Sequence, residues 1–157
     1  MNRVVLTRET VADLVSECLG TVKVLGIVGR CGSGKTLSLR QWMTEAVAQG
    51  CLRVAYADSH TLLASDKVEI DFAGRVRGAA VGHYPMFDLD GADVVIVDEP
   101  LQNRELVERV LAHVEPDGGA FMHRLLILPI QTEDAITRLG IPRSALRLFS
   151  VAGMPLY

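Results

Sequence analysis

The sequence predicts a single α/β domain of three layers, with helices on both faces of a mostly parallel five-stranded sheet. Three observations predict it. Five short apolar segments, at 23–28, 52–57, 94–97, 125–128 and 146–151, carry side chains fit for burial on both faces, as parallel strands require. Helical patterns alternate with them. The chain has 157 residues and a hydrophobic fraction of 49%, enough to fill one core, so one domain is expected over 1–157. Aromatic residues make up only 5%, so that core is built from Val, Leu, Ile and Ala.

The elements follow in order. Thr7 caps a helix over 7–18, in which Val11, Leu14, Val15 and Cys18 recur at helical spacing. The first strand, 23–28, leads into a glycine-rich turn and a helix over 35–49 that Gly50 stops. Trp42, with Leu39 and Val47 nearby, belongs to the core. The second strand, 52–57, ends at Asp58. An insertion at about 66–91 then breaks the rhythm: 67–72 alternates like a strand, Gly74 turns it, and 75–77 returns as a hairpin arm. The third strand, 94–97, precedes a helix over 101–113 that ends in a turn at 116–119. A fourth strand, 125–128, precedes a helix over 132–139 capped by Thr132, and 146–151 is the fifth strand.

Composition narrows the function. The formal charge is −3, which argues against a generic nucleic-acid coat but leaves room for a local basic patch. Within the insertion, Arg75 and Arg77 with His83 and Tyr84 are either a grip on a nucleic-acid backbone or a solvated strand face. Cys18, Cys31 and Cys51 are odd in number and lack metal-ligand spacing, as in a reducing compartment. No apolar run approaches the roughly 20 residues of a membrane span, and charges interrupt the first residues. A cytoplasmic protein without a membrane segment is expected.

The most specific motif is Gly29-Arg30-Cys31-Gly32-Ser33-Gly34-Lys35-Thr36, which fits G-x-x-x-x-G-K-[ST] between a predicted strand and a predicted helix. Glycines let the backbone curl so that several N–H groups face phosphate oxygens, and the helix start adds its dipole. Lys35 is positioned for the β- and γ-phosphates, Thr36 for magnesium, and Leu37 closes the binding segment. Cys31 reads as a small filler at a variable position of the loop. The second motif is the apolar strand 94–97 ending in Asp98 and Glu99. Asp98 is the partner of the metal, and Glu99 is the group to orient and polarise an attacking water.

Residues 29–36 together with 94–99 resemble the additional-strand, catalytic-glutamate branch of P-loop NTPases, which are mostly ATPases. The resemblance implies the sheet order 5-1-4-3-2, with the fourth strand between the loop strand and the acidic strand. It also implies a γ-phosphate sensor at the end of the fourth strand: Gln131, with Thr132 second. No Asn-Lys-x-Asp motif is present, so ATP with Mg2+ is expected rather than GTP, and the Leu-Ser-Gly-Gly-Gln signature of ABC transporters is absent. More finely, residues 32–37, 96–99 and His123-Arg124 before a strand leading to Gln131 resemble the FtsK–HerA group, and within it the zonula occludens toxin-like phage-assembly ATPases. This chain departs from that group in having Pro100 and no membrane segment.

An arginine near the γ-phosphate, in cis or from a second copy in a homo-oligomer, is a common further requirement. The candidates are Arg104, Arg109, Arg124, Arg138 and Arg143. Three functions fit: an ATPase powering assembly or translocation of DNA or of a phage, pilus or conjugation component; a nucleotide-gated accessory ATPase acting on a partner protein complex, similar to small ATPases of tRNA modification; and a small-molecule kinase. The first is the expectation.

Overall fold

The structure is a computed structural model that describes residues 2–30, 32–50, 52–57, 69–70, 76–77, 92–117 and 122–152. Its main sheet has six parallel strands in the order β1-β8-β2-β7-β6-β3. These are β1 (Asn2–Val4), β2 (Val24–Val28), β3 (Val54–Ala57), β6 (Val94–Val97), β7 (Leu125–Ile130) and β8 (Leu146–Val151). The helices are α1 (Arg8–Cys18), α2 (Lys35–Gln49), α3 (Arg104–Leu111) and α4 (Asp134–Arg138). Set against the sequence expectation, β8-β2-β7-β6-β3 is the order 5-1-4-3-2.

The central strands form because their side chains are apolar on both faces, and β3, β6 and β7 are buried at every position. On the helical side, Val11, Leu14, Val15 and Cys18 of α1 are buried, and so are Leu39, Trp42 and Met43 of α2. Thr7 closes the start of α1: its hydroxyl accepts from the Thr10 N–H at 3.2 Å, and the Thr10 hydroxyl accepts from the Thr7 N–H at 2.6 Å. Burial pushes the Cys18 thiol up to about 11, so this cysteine is a small core residue.

Four expectations need correction. A sixth strand exists: β1 lies on β8, with Asn2 opposite Phe149 and Val4 opposite Val151. Of its three residues, Asn2 and Arg3 are exposed and only Val4 packs against the core, too short an apolar pattern to read as a strand. The fourth strand runs on through Pro129 to Ile130. Leu125 N–H faces the β6 side and Leu126 N–H faces β2, so by alternation Pro129 would face β6. The β6 ladder stops at Ile127, so no donor is required there, and the proline is tolerated in a central strand. The helix expected over 101–113 is instead a 3-10 turn at Pro100–Gln102 followed by α3, with Asn103 between them. The helix expected over 132–139 is the shorter α4, with Glu133 at its N-cap; Thr132 gives it no side-chain cap, although the Thr132 carbonyl accepts from Ala135 N–H at 3.2 Å.

Within the expected insertion, β4 (Glu69–Ile70) and β5 (Val76–Arg77) pair antiparallel, with Glu69 opposite Arg77. Cys31, Cys51, Arg75, His83, Tyr84 and the remainder of 66–91 lie outside the described residues, as does the Val47 side chain. No helix of the described residues is long and apolar enough to cross a membrane.

Candidate functional site

The parallel sheet brings the C-terminal ends of its strands to one edge, and the turns that leave them form a cleft. The first wall is the loop between β2 and α2. Gly29 N–H donates to Ile130 O at 2.9 Å, which ties the loop's start to the end of β7. Gly32 and Gly34 adopt φ of +84° and +87°. A Cβ on Gly34 would meet nothing within 4 Å, so this position opens onto the cleft and a side chain there would fill it. Lys35, only 9% exposed, sits at the first position of α2 and folds back over the loop. Its Nζ donates to the Gly29 carbonyl, to the Arg30 carbonyl at 2.9 Å and to Ser33 Oγ at 3.4 Å.

The second wall is the end of β6. Asp98 is 8% exposed and its carboxylate is heavily engaged. Oδ2 accepts from Thr36 Oγ1 at 2.7 Å and from the Tyr56 hydroxyl at 2.7 Å, while Oδ1 accepts from Glu99 N–H at 3.0 Å. The Thr36 bond spans 62 positions in sequence and joins the two walls. Glu99, with φ of +49°, is the described non-glycine residue with positive φ. Left-handed backbone is costly for a residue with a Cβ, and more so before Pro100. The buried Asn103 side chain compensates: its Nδ2 donates to the Asp98 carbonyl at 3.2 Å and to the Glu99 carbonyl at 3.3 Å, holding the turn that exposes Glu99.

Between the walls lies a cleft of about 690 Å³. Gly32, Gly34, Lys35, Thr36 and Leu37 line it on one side, Asp98 and Glu99 on another, and Gln131, Thr132 and Arg138 on a third. Gly29, Arg30 and Ser33 belong to the loop but not to this lining. Of the five candidate arginines, only Arg138 lines the cleft. Arg104 donates to the Arg138 carbonyl at 2.6 Å, and Arg143 pairs with Glu133 at 2.6 Å. Arg109 is exposed late in α3, and Arg124 precedes β7 at the opposite edge of the sheet.

Sequence reasoning missed Tyr56 and Asn103. Each had a signal. Tyr56 is the one residue in an otherwise apolar strand whose buried hydroxyl must find a partner. Asparagine inside an expected helix competes for backbone groups and marks a break. Burial, and then the bond to Asp98, push the Tyr56 hydroxyl pKa well above the ordinary phenol range, so it stays a proton donor.

The strand order, with the loop after the central β2 and the acidic turn two strands away, is the three-layer P-loop NTPase fold. No protein-family model and no curated protein matches the sequence. Among solved structures the chain is similar to a DNA replication initiation factor, at 12% identity and a TM-score of 0.47. The similarity covers 89% of this chain and 44% of that one, so the chain spans less than half of that structure's length.

Proposed function

We propose that the cleft binds ATP with magnesium and that the chain hydrolyses it, in the service of assembling or moving a larger component such as DNA or a phage, pilus or conjugation machine. The observation that carries this reading is the 2.7 Å bond from Thr36 to Asp98, which puts a hydroxyl and a carboxylate of two distant segments at one point beside Lys35. Hydroxyl and carboxylate oxygens are the hard donors magnesium prefers, and the open face of Gly34 leaves the room that phosphate oxygens need. Thr36 and Asp98 would hold the ion. Bound there, it would neutralise charge on the phosphate oxygens.

The chain's own residues do the rest. Lys35 exchanges loop carbonyls for β- and γ-phosphate oxygens. Glu99, presented by a turn that Asn103 fixes, orients a water and takes its proton. Gln131, at the end of β7, contacts the γ-phosphate from the third side of the cleft. Arg138 lines the same cleft, which supports a cation supplied within one chain over one supplied by a neighbour.

Glu99→Gln is the test. It should retain ATP affinity while phosphate release falls on the order of a hundredfold or more. Unchanged turnover would remove Glu99 from the mechanism. The larger role is read from specific activity against protein concentration, with and without DNA. Stimulation by DNA supports translocation, and a steep rise with concentration would transfer the arginine's role from Arg138 to a second copy.

A further inference from the structure

Resting on the magnesium reading above, we infer that Tyr56 is a positioning residue for the metal site, acting through Asp98, and that Arg40 holds Tyr56 in place. Tyr56 lies on β3, opposite Ile96 of β6 and two residues short of Asp98 in register. It is 1% exposed, and its hydroxyl reaches Asp98 Oδ2 at 2.7 Å. Arg40 comes from α2, with its guanidinium carbon 4.7 Å from the Tyr56 ring centroid and its Nη2 donating to the Tyr56 hydroxyl at 3.3 Å. That bond uses the acceptor side of the phenol oxygen and leaves its proton for Asp98. The result is a directed chain, Arg40 to Tyr56 to Asp98, in which each donor polarises the next.

The terminal torsion of an aspartate is soft, and without Tyr56 each carboxylate oxygen would be held by one bond, Oδ2 by Thr36 and Oδ1 by the Glu99 N–H. Two donors converging on Oδ2, from Thr36 and from Tyr56, occupy its two lone-pair directions. Oδ1 then keeps one direction beyond the Glu99 N–H bond. The carboxylate is thereby aimed, and Tyr56 acts on the metal rather than on the triphosphate, which the loop wall holds.

The test measures nucleotide affinity of the full chain by calorimetry in EDTA and across a magnesium series. Tyr56→Phe keeps the ring, its stack on Arg40 and the core volume. Affinity in EDTA should stay within about twofold of wild type, while the magnesium concentration for half-maximal enhancement should rise about tenfold, as loss of one charge-assisted bond implies. Arg40→Met, at an exposed position, should move the same midpoint by about threefold and leave the EDTA affinity unchanged. A midpoint within twofold of wild type in Tyr56→Phe overturns the inference, and so does an equal loss in EDTA and in magnesium, the pattern of mere packing. If Tyr56→Phe does not fold, an unshifted midpoint in Arg40→Met overturns it. Should wild-type affinity be indifferent to magnesium, the metal reading falls and this inference with it; magnesium enhancement in wild type with no change in the variants sinks the inference alone.

Discussion

The two walls of the cleft are built on opposite plans. The loop wall is mostly local: Gly29, Arg30, Ser33 and Lys35 bond to one another within six positions of sequence, and the Gly29 N–H bond to Ile130 O anchors its start on β7. The acidic wall is assembled from afar, since Asp98 takes its partners from α2 and β3 as well as from its own turn. A local wall can be carried by backbone conformation and a few glycines. A non-local wall exists only once the sheet has aligned β3, β6 and the start of α2. Damage to the first should therefore register in ligand affinity, and damage to the second in fold stability as well.

The largest effect expected is that of Lys35→Ala. It removes the charge that the loop wall offers to phosphates, and triphosphate affinity should fall about a hundredfold, the equivalent of about 2.7 kcal/mol. Its stability in urea should change by no more than about 1 kcal/mol, because Gly29, Arg30 and Ser33, the partners it leaves, are half-buried or exposed loop residues. Asn103→Ala is the counterpart on the acidic wall. It strips two donors from a buried position that compensates the left-handed Glu99, so unfolding free energy should drop by about 1–3 kcal/mol. Affinity should change less than tenfold, while turnover falls because Glu99 is no longer held. If Lys35→Ala melted the fold, or Asn103→Ala cost affinity without stability, the contrast between the walls would be broken.

The same contrast explains what was legible. The five main strands and the placing of the loop could be read from apolar runs and one motif, because burial on both faces and phosphate cradling each demand particular residues at short spacing, whereas the strand order came only from the family resemblance of 29–36 and 94–99. Strand β1 went unread, since an edge strand of three residues, two of them exposed, leaves most of its residue types unconstrained. The break at Asn103 was signalled by the asparagine itself but went unread, because the apolar period of 101–113 continues across a point that its side-chain bonds to Asp98 and Glu99 interrupt. Thr36 and Asp98 were each visible from their own motif. Tyr56 and Arg40 were not, because their meeting with Asp98 is decided by strand register rather than by sequence spacing. Of the arginines, sequence named five, and only the fold singles out Arg138 at the cleft.

The smallest effect sharpens the comparison most, because it has an internal control. Gly34 and Gly20 both adopt strongly positive φ, +87° and +85°, and a Cβ on either would meet nothing within 4 Å. Alanine at each position therefore carries the same backbone penalty and no clash, and both variants should lose about 1 kcal/mol of stability. Gly20 follows α1, away from the cleft, whereas Gly34 lines it. A methyl group on Gly34 occupies space that the loop wall keeps open for phosphate oxygens, so only Gly34→Ala should also weaken triphosphate binding, by about tenfold. Equal affinity in the two variants, measured at matched folded fraction, would mean that the open face of Gly34 is a consequence of its turn and not part of the cradle.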